Sequence, residues 1–152
     1  MAKTIDIAAL ESKIGQEAPP SAWLTVTQDM IDRFAELTGD RQWIHIDVAR
    51  SERESPFGAP VAHGLLILSL IPGLIGDALA WAACSSGINY GSDKVRFMAP
   101  VRAGARIRAR QKLLSASAIG GGGAKLVIAV TVDIEGEDKP ACYAEMIALL
   151  FP

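Results

Sequence analysis

The alternation of apolar and polar residues predicts a first half rich in helices and a second half rich in strands. A short amphipathic segment at residues 5–14 is followed by an alternating stretch, residues 23–27, that predicts a strand. Thr27 suits the N-cap of a helix from Gln28 to about Thr38, with Asp29 in its first turn. Gly39 suits its end, because glycine readily adopts the left-handed conformation that stops a helix.

The longest predicted helix is an apolar run at residues 62–83, with a kink near Pro72 because proline lacks the N–H that a helix would use. The run approaches the roughly 20 apolar residues that span a bilayer. Pro72 and Asp77 interrupt it, however, and half-buried strand patterns follow it. We therefore interpret it as the buried core helix of a soluble protein.

The remaining pattern predicts short connecting elements and then strands. Asp47 can cap a short helix that runs through Arg53. Alternating residues predict strands at 88–97, 105–114, 126–135 and 141–151, with turns at 120–123 and 135–138. A meander of antiparallel strands, curved around the buried helix, satisfies this α+β order best.

Length and composition predict one domain, residues 1–152, with half of the residues hydrophobic and enough core to need neither disulfide nor metal. The net charge of −2 argues against a nucleic-acid partner. Cys84 and Cys142 lie far apart, without metal-ligand spacing, and predict two reduced thiols in a cytoplasmic protein. The amino terminus lacks the order of a signal peptide, and no membrane association is expected.

Acid–base chemistry is concentrated in two segments, residues 37–46 (LTGDRQWIHI) and 57–64 (FGAPVAHG), which contain both histidines. Asp40 and His45 are five residues apart, so a continuous helix would place them about 140° apart around its axis. They can meet only if the chain turns after Gly39. Taken alone, Asp40 is a polar residue after a helix stop and His45 a core histidine between two isoleucines.

The two segments together carry a family resemblance. FAELTGDRQWIHID followed by FGAPVAHGLLILSL resembles the hydratase motif of the MaoC-like family, the R-specific enoyl-CoA hydratases of the hot-dog fold. INYGSDKVRFMAPVRAG and KPACYAE are similar to the subgroup related to nodulation protein N. The match extends over nearly the whole chain.

The resemblance implies a hot-dog fold and R-specific hydration of a trans-2-enoyl thioester, or the reverse dehydration, in fatty acid metabolism. Asp40 and His45 fall on the catalytic pair of the family, and Gly64 on the glycine whose N–H helps to bind the thioester carbonyl. Gln42, Trp43 and His63 are further substrate-binding candidates. The implied partners are acyl-CoA or an acyl carrier protein thioester and a second copy of the chain, joined edge to edge. No cofactor or metal is implied.

Several site residues keep a purely structural interpretation. Gly64 can be required for close packing, Trp43 can pack rather than line an acyl pocket, and His63 more readily shapes the start of the helix than transfers protons. Alternating arginines at 106, 108 and 110 indicate a solvated strand face or contacts with a coenzyme A phosphate.

Two departures from the family pattern leave Asp40 and His45 in place, but they concern how the catalytic water is held and a hydroxyl near the site. Gln42-Trp43 stands where many members have Asn-Pro, and Pro72 where some R-specific hydratases carry serine. Two other functions stay open at this point: a hot-dog thioesterase, which would need an acid or nucleophile elsewhere, and a non-catalytic acyl-binding or scaffold subunit.

Overall fold

The computed structural model describes residues 4–76 and 81–152. Five strands form one antiparallel sheet in the order β1-β3-β4-β5-β2. The strands are β1 Leu24–Thr25, β2 Ser86–Phe97, β3 Arg106–Ile119, β4 Gly123–Ile134 and β5 Cys142–Phe151. The α-helices are α1 Ile7–Glu11, α2 Gln28–Thr38, α3 Trp43–Ile46, α4 Val48–Glu54 and α5 Gly64–Ile75. A 3₁₀ turn, Gly120–Gly122, joins β3 to β4.

Local capping signals account for the helices before α5. The Thr27 hydroxyl accepts from the Met30 N–H at 3.2 Å, and Gly39 ends α2 with a φ of 79°. Asp47 caps α4 by accepting from the Arg50 N–H at 3.0 Å. The predicted bounds of α2 and the start of α4 are therefore confirmed. The one-turn helix α3 lies between them and was not predicted.

Helix α5 is shorter than predicted. It ends at Ile75, where Gly76 takes a φ of 65°, and the described residues that follow at 81–85 are not α-helical. Residues 77–80 of the predicted helix lie outside the described residues. Pro72 is inside the helix, and a glycine with positive φ is a common helix stop. No α-helix within residues 4–76 or 81–152 is long and apolar enough to cross a membrane.

One side of α5 packs on the concave face of the sheet. Ile67 and Ile71 are buried there, and the facing side chains of β4 alternate with outward ones along the whole strand. Leu65, on the other side of α5, is 59% exposed. The helix is thus buried on the side that faces the sheet and exposed at Leu65 on the other. The predicted curved antiparallel sheet around a buried central helix is confirmed.

Strand β2 does not join the meander as predicted. β3, β4 and β5 pair consecutively, whereas β2 pairs with β5 at the opposite edge from β1. The connection from β2 to β3 is hydrogen-bonded to earlier parts of the chain. Val101 O accepts from Ala62 N at 2.7 Å, and Ala105 O accepts from Val26 N at 2.9 Å. These long-range bonds carry the chain across the end of the sheet instead of through a tight hairpin.

Candidate active site

The end of α2 brings Asp40 and His45 together. Gly39 breaks the helix, residues 39–42 form a short exposed segment, and α3 then carries His45 back towards the core. A carboxylate oxygen of Asp40 and one ring nitrogen each of His45 and His63 lie within 4.8 Å of one another. The predicted turn after Gly39 is thus confirmed, and His63 joins the pair.

His45 is held in one tautomer. Its Nδ1 lies 2.6 Å from the carbonyl oxygen of Val61, which can only accept, so Nδ1 carries the proton. The neutral ring then has a lone pair on Nε2. The His45 backbone is fixed as well, because Gln28 Nε2 donates to its carbonyl oxygen at 2.8 Å. The side chain can therefore accept a proton at a defined atom.

Burial lowers the pKa of His45 below its usual 6.5, and the neighbouring His63 lowers it further. The Val61 carbonyl and the Asp40 carboxylate act in the opposite direction, but they do not outweigh burial. The imidazole is therefore neutral near pH 7, as a group that is to remove a proton must be.

His63 lies beside both residues and is only 3% exposed. Its ring stacks on that of His45 with 3.7 Å between centroids and 23° between planes. Its Nε2 donates to the backbone carbonyl oxygen of Asp40 at 2.9 Å. His63 occupies the N-cap position of α5, as the interpretation of a helix-shaping residue implies, but its side chain makes no capping bond.

Gly64 is the first residue of α5, so its N–H has no partner within the helix. A Cβ built on Gly64 would lie 2.7 Å from Cγ and Cδ2 of Phe97, which is closer than carbon atoms approach. The close-packing interpretation of this glycine thus has a physical basis. Its role as an oxyanion donor stays a prediction.

Comparison with known proteins places the chain in a family. The family model described as MaoC like domain matches residues 9–134. The chain belongs to the MaoC-like domain family. The 3-hydroxyacyl-thioester dehydratase Z of Mycobacterium tuberculosis (strain ATCC 25618 / H37Rv) is 41% identical over 141 residues, which cover 93% of each chain. Nodulation protein N of Rhizobium leguminosarum bv. viciae is 41% identical over 147 residues, 96% of this chain and 91% of that one.

A solved structure supports the fold assignment. The (R)-hydratase from A. caviae involved in PHA biosynthesis matches with a TM-score of 0.73 and 23% identity, covering 91% of this chain and 96% of that one. Three predictions are confirmed: the family resemblance of the two motif segments, the hot-dog fold, and the enzyme class of hydratase or dehydratase.

Gln42 and Trp43 lie next to His45 in the chain, at the start of α3. Gln42 is exposed and its side chain makes no capping bond to α3. Trp43 is half-buried, with the guanidinium of Arg50 4.2 Å above its ring. This contact favours packing at the surface, and a role for either residue in binding substrate stays a prediction.

The sequence analysis missed three supporting groups: Gln28, the Val61 carbonyl and Phe97. Gln28 and Val61 are bonded to His45 across 17 and 16 positions of the chain, and Phe97 contacts Gly64 from another element. Gln28 is the first residue of an unremarkable helix. No local pattern marks these residues, because each acquires its role only from tertiary contact.

The group of Asp40, His45 and His63 has the residue types of a metal site, but not its geometry. A lone pair of imidazole lies in the plane of the ring, so a shared ion must lie near both ring planes. The two rings instead stack nearly parallel at 3.7 Å. Such rings direct their lone pairs side by side rather than at one point, an arrangement unsuited to joint ligation of one ion.

The arginines of β3 are engaged in ion pairs on the outer face of the sheet. Arg110 binds Asp133 through two bonds of 2.8 and 3.0 Å and holds the pKa of that carboxyl below its usual value. Arg106 binds Glu135 at 2.8 Å, and Arg108 lies over Trp23 at 4.6 Å. These contacts favour the interpretation of a solvated face over that of a phosphate site.

Proposed function

We propose that the protein catalyses R-specific hydration of trans-2-enoyl-CoA to (R)-3-hydroxyacyl-CoA, or the reverse dehydration. The observation that carries the proposal is the approach of the Asp40 carboxylate to a buried imidazole, His45, within 4.8 Å. Hydrogen bonds of about 2.8 Å allow one water to bridge two groups at that separation. The relative named 3-hydroxyacyl-thioester dehydratase supports a thioester substrate.

In this proposal each of the two side chains has one role in hydration. Asp40 accepts one hydrogen bond from the water and orients it, while His45 Nε2 accepts a proton as the water oxygen bonds to the β-carbon. The π electrons move towards the thioester, forming an enolate. The imidazolium then returns its proton to the α-carbon, so that the net reaction adds water across the double bond.

The N–H of Gly64 stabilises the enolate oxygen in this proposal. The group lies next to His63, and it has no helical partner and points out of the amino-terminal end of a 12-residue helix. Charge that develops on an oxygen at this position is stabilised by a donor already in place.

In this proposal the acyl chain runs along α5. An apolar cavity of about 170 Å³ at the far end of the helix is lined by Pro72, Ile75, Ile128 and Met146. Pro72 follows Gly64 by eight residues, which corresponds to about 12 Å along a helix. We place the chain in this direction, with the thioester at Gly64. Neither coenzyme A nor a carrier protein is favoured by the charged residues.

We further propose that the enzyme is a homodimer whose sheets join through β2. β2 is a 12-residue edge strand, whereas β1 at the other edge has two residues. Ile88 and Tyr90 on β2 are 52% and 66% exposed. A long edge strand presents unpaired backbone N–H and C=O groups and here also exposed apolar side chains. Pairing with β2 of a second copy would satisfy these backbone groups and cover the side chains.

The experiment is hydration of crotonyl-CoA by the purified protein. Loss of enoyl absorbance should be accompanied by product that an R-specific dehydrogenase oxidises, and no thiol should be released. Release of thiol would favour a thioesterase. No reaction with short and medium acyl-CoA or carrier-protein substrates would favour a non-catalytic acyl-binding subunit.

Variants connect this activity to the site. Asp40→Asn and His45→Gln should each lower kcat by at least about 10²-fold, the usual effect of losing a general acid or base. Asp47→Asn is the matched control, because Asn caps α4 as well as Asp does and Asp47 is exposed. Near-normal turnover of folded Asp40→Asn or His45→Gln would remove that residue from the mechanism.

A further inference from the structure

We infer that His63 is a positioning residue for hydration, which keeps the Asp40 carboxylate beside His45 through the hydrogen bond from its Nε2 to the Asp40 carbonyl oxygen. The inference rests on the proposed function of the Asp40–His45 pair. It concerns a residue that does not itself touch the reacting atoms.

The segment that carries Asp40 has few anchors of its own. Residues 39–42 are all exposed, and the Asp40 N–H makes a long 3.4 Å bond to the nearby Thr38 hydroxyl. Within residues 4–76 and 81–152, the bond from His63, 2.9 Å long, is the one side-chain hydrogen bond that reaches this segment from a distant element. It spans 23 positions of the sequence. The placement of the Asp40 backbone therefore depends on His63.

His63 is itself rigidly held. It stands at the N-cap of α5, is 3% exposed, and its ring contacts those of Phe34 and His45, with 5.0 and 3.7 Å between centroids. Because these contacts restrict the ring of His63, the carbonyl group that it binds is restricted as well. The start of the central helix thus determines where the catalytic carboxylate lies.

The hydrogen-bonding pattern of His63 fits a donor and not a proton carrier. The Asp40 carbonyl can only accept, so Nε2 carries the proton. Among the residues that the structure describes, Nδ1 is buried without a hydrogen-bond partner, and a second proton there would have no acceptor. With one proton on Nε2, the ring donates to the Asp40 carbonyl and keeps the lone pair on Nδ1.

Loss of this bond should slow the chemical step more than it weakens binding. A displacement of about 1 Å of a catalytic group can lower a rate about 10²-fold. The substrate, by contrast, would lose no direct contact with His63. We therefore expect kcat to fall while KM changes little.

Two amide variants separate the hydrogen bond from other effects. In His63→Gln the terminal amide nitrogen can occupy the place of Nε2, whereas in His63→Asn it reaches only as far as Nδ1. Gln should retain kcat within about tenfold of the wild type, and Asn should lose about 10²-fold, with KM of both within about threefold. His63→Phe keeps an aromatic ring but no donor and should behave as Asn does. Circular dichroism and thermal unfolding verify that each variant is folded.

Equal kcat for folded Gln and Asn variants, or a change confined to KM, would overturn the inference. Nitrogen NMR of the wild-type protein gives an independent test that needs no variant: the proton of His63 should be on Nε2, and a proton on Nδ1 would contradict the proposed bond. A wild-type protein without hydratase activity would instead refute the proposed function. The two failures are therefore distinguishable.

Discussion

At the scale of single residues, the environment of His45 determines how the enzyme should respond to pH. Burial makes the folded-state pKa of His45 lower than its usual 6.5, so the folded protein binds this proton less readily than the unfolded chain does. Stability should therefore rise with pH through the interval between the two values and fall on acidification.

The same shift predicts the acid limb of activity. If neutral His45 accepts the proton of water, kcat/KM should fall on acidification with a midpoint below 6.5, because the midpoint reports the pKa of the free enzyme. Rates with crotonyl-CoA at constant ionic strength would measure it. An acid midpoint above 6.5 would mean that a group other than His45 controls this limb.

The contact between Gly64 and Phe97 gives a second prediction at this scale. Alanine at position 64 keeps the N–H but places a Cβ 2.7 Å from the Phe97 ring, so Gly64→Ala should lower kcat/KM by displacing the ring or the start of α5. In a Phe97→Ala background the clash is removed, so Gly64→Ala should lower kcat/KM much less there than it does in the wild type. A double variant as impaired as Gly64→Ala would show that the steric account is wrong.

The candidate residues themselves were largely predictable, whereas their supports were not. Asp40, His45 and Gly64 belong to motif segments with a fixed local order. His63 was expected to act on its own helix, yet its side chain reaches back 23 positions to Asp40. Gln28 reaches forward 17 positions to His45. Such partners depend on how elements pack, which no local pattern contains.

At the scale of elements, the C-terminal stop of α2 is as important to the site as the side chains are. Gly39 and Gly136 share a φ of 79°, and at neither position does a built Cβ have a neighbouring atom within 4 Å in the described part of the chain. Alanine at either position should therefore destabilise the fold by a similar amount, about 1–2 kcal/mol, because of the left-handed backbone.

Only the change beside Asp40 should affect catalysis. Gly39→Ala strains the residue that directs the chain into Asp40, so kcat should fall, whereas Gly136→Ala lies in the β4–β5 turn and should leave kcat unchanged. Chemical unfolding measures the first effect and steady-state kinetics the second. Equal kcat in both variants would contradict the importance of the α2 stop.

The elements that were predicted well are those whose ends are determined by residues close to them in the sequence. Thr27 and Gly39 define both ends of α2 through bonds within a few residues. The end of α5 was placed too late because an apolar run has no boundary of its own, and Gly76 stops the helix inside it. The pairing of β2 with β5 was missed because it depends on the long-range bonds of residues 98–105.

At the scale of the whole molecule, the sheet leaves one long edge open. β2 bears two irregularities in its pairing with β5, and its exposed residues include Ile88, Tyr90 and Phe97. Phe97 also covers Gly64 at the start of α5. The open edge and the candidate active site are therefore parts of one continuous surface.

Association through this edge is a testable consequence. Light scattering should give twice the 16.1 kDa of one chain for the wild type. The double variant Ile88→Lys with Tyr90→Lys should shift the mass towards that of one chain, because charged side chains on an edge strand oppose pairing. Ser117→Lys adds a charge to an exposed position of β3, away from the β2 edge, and should remain dimeric. A monomeric wild type would refute the dimer, and a dimeric double variant would place its interface on another surface.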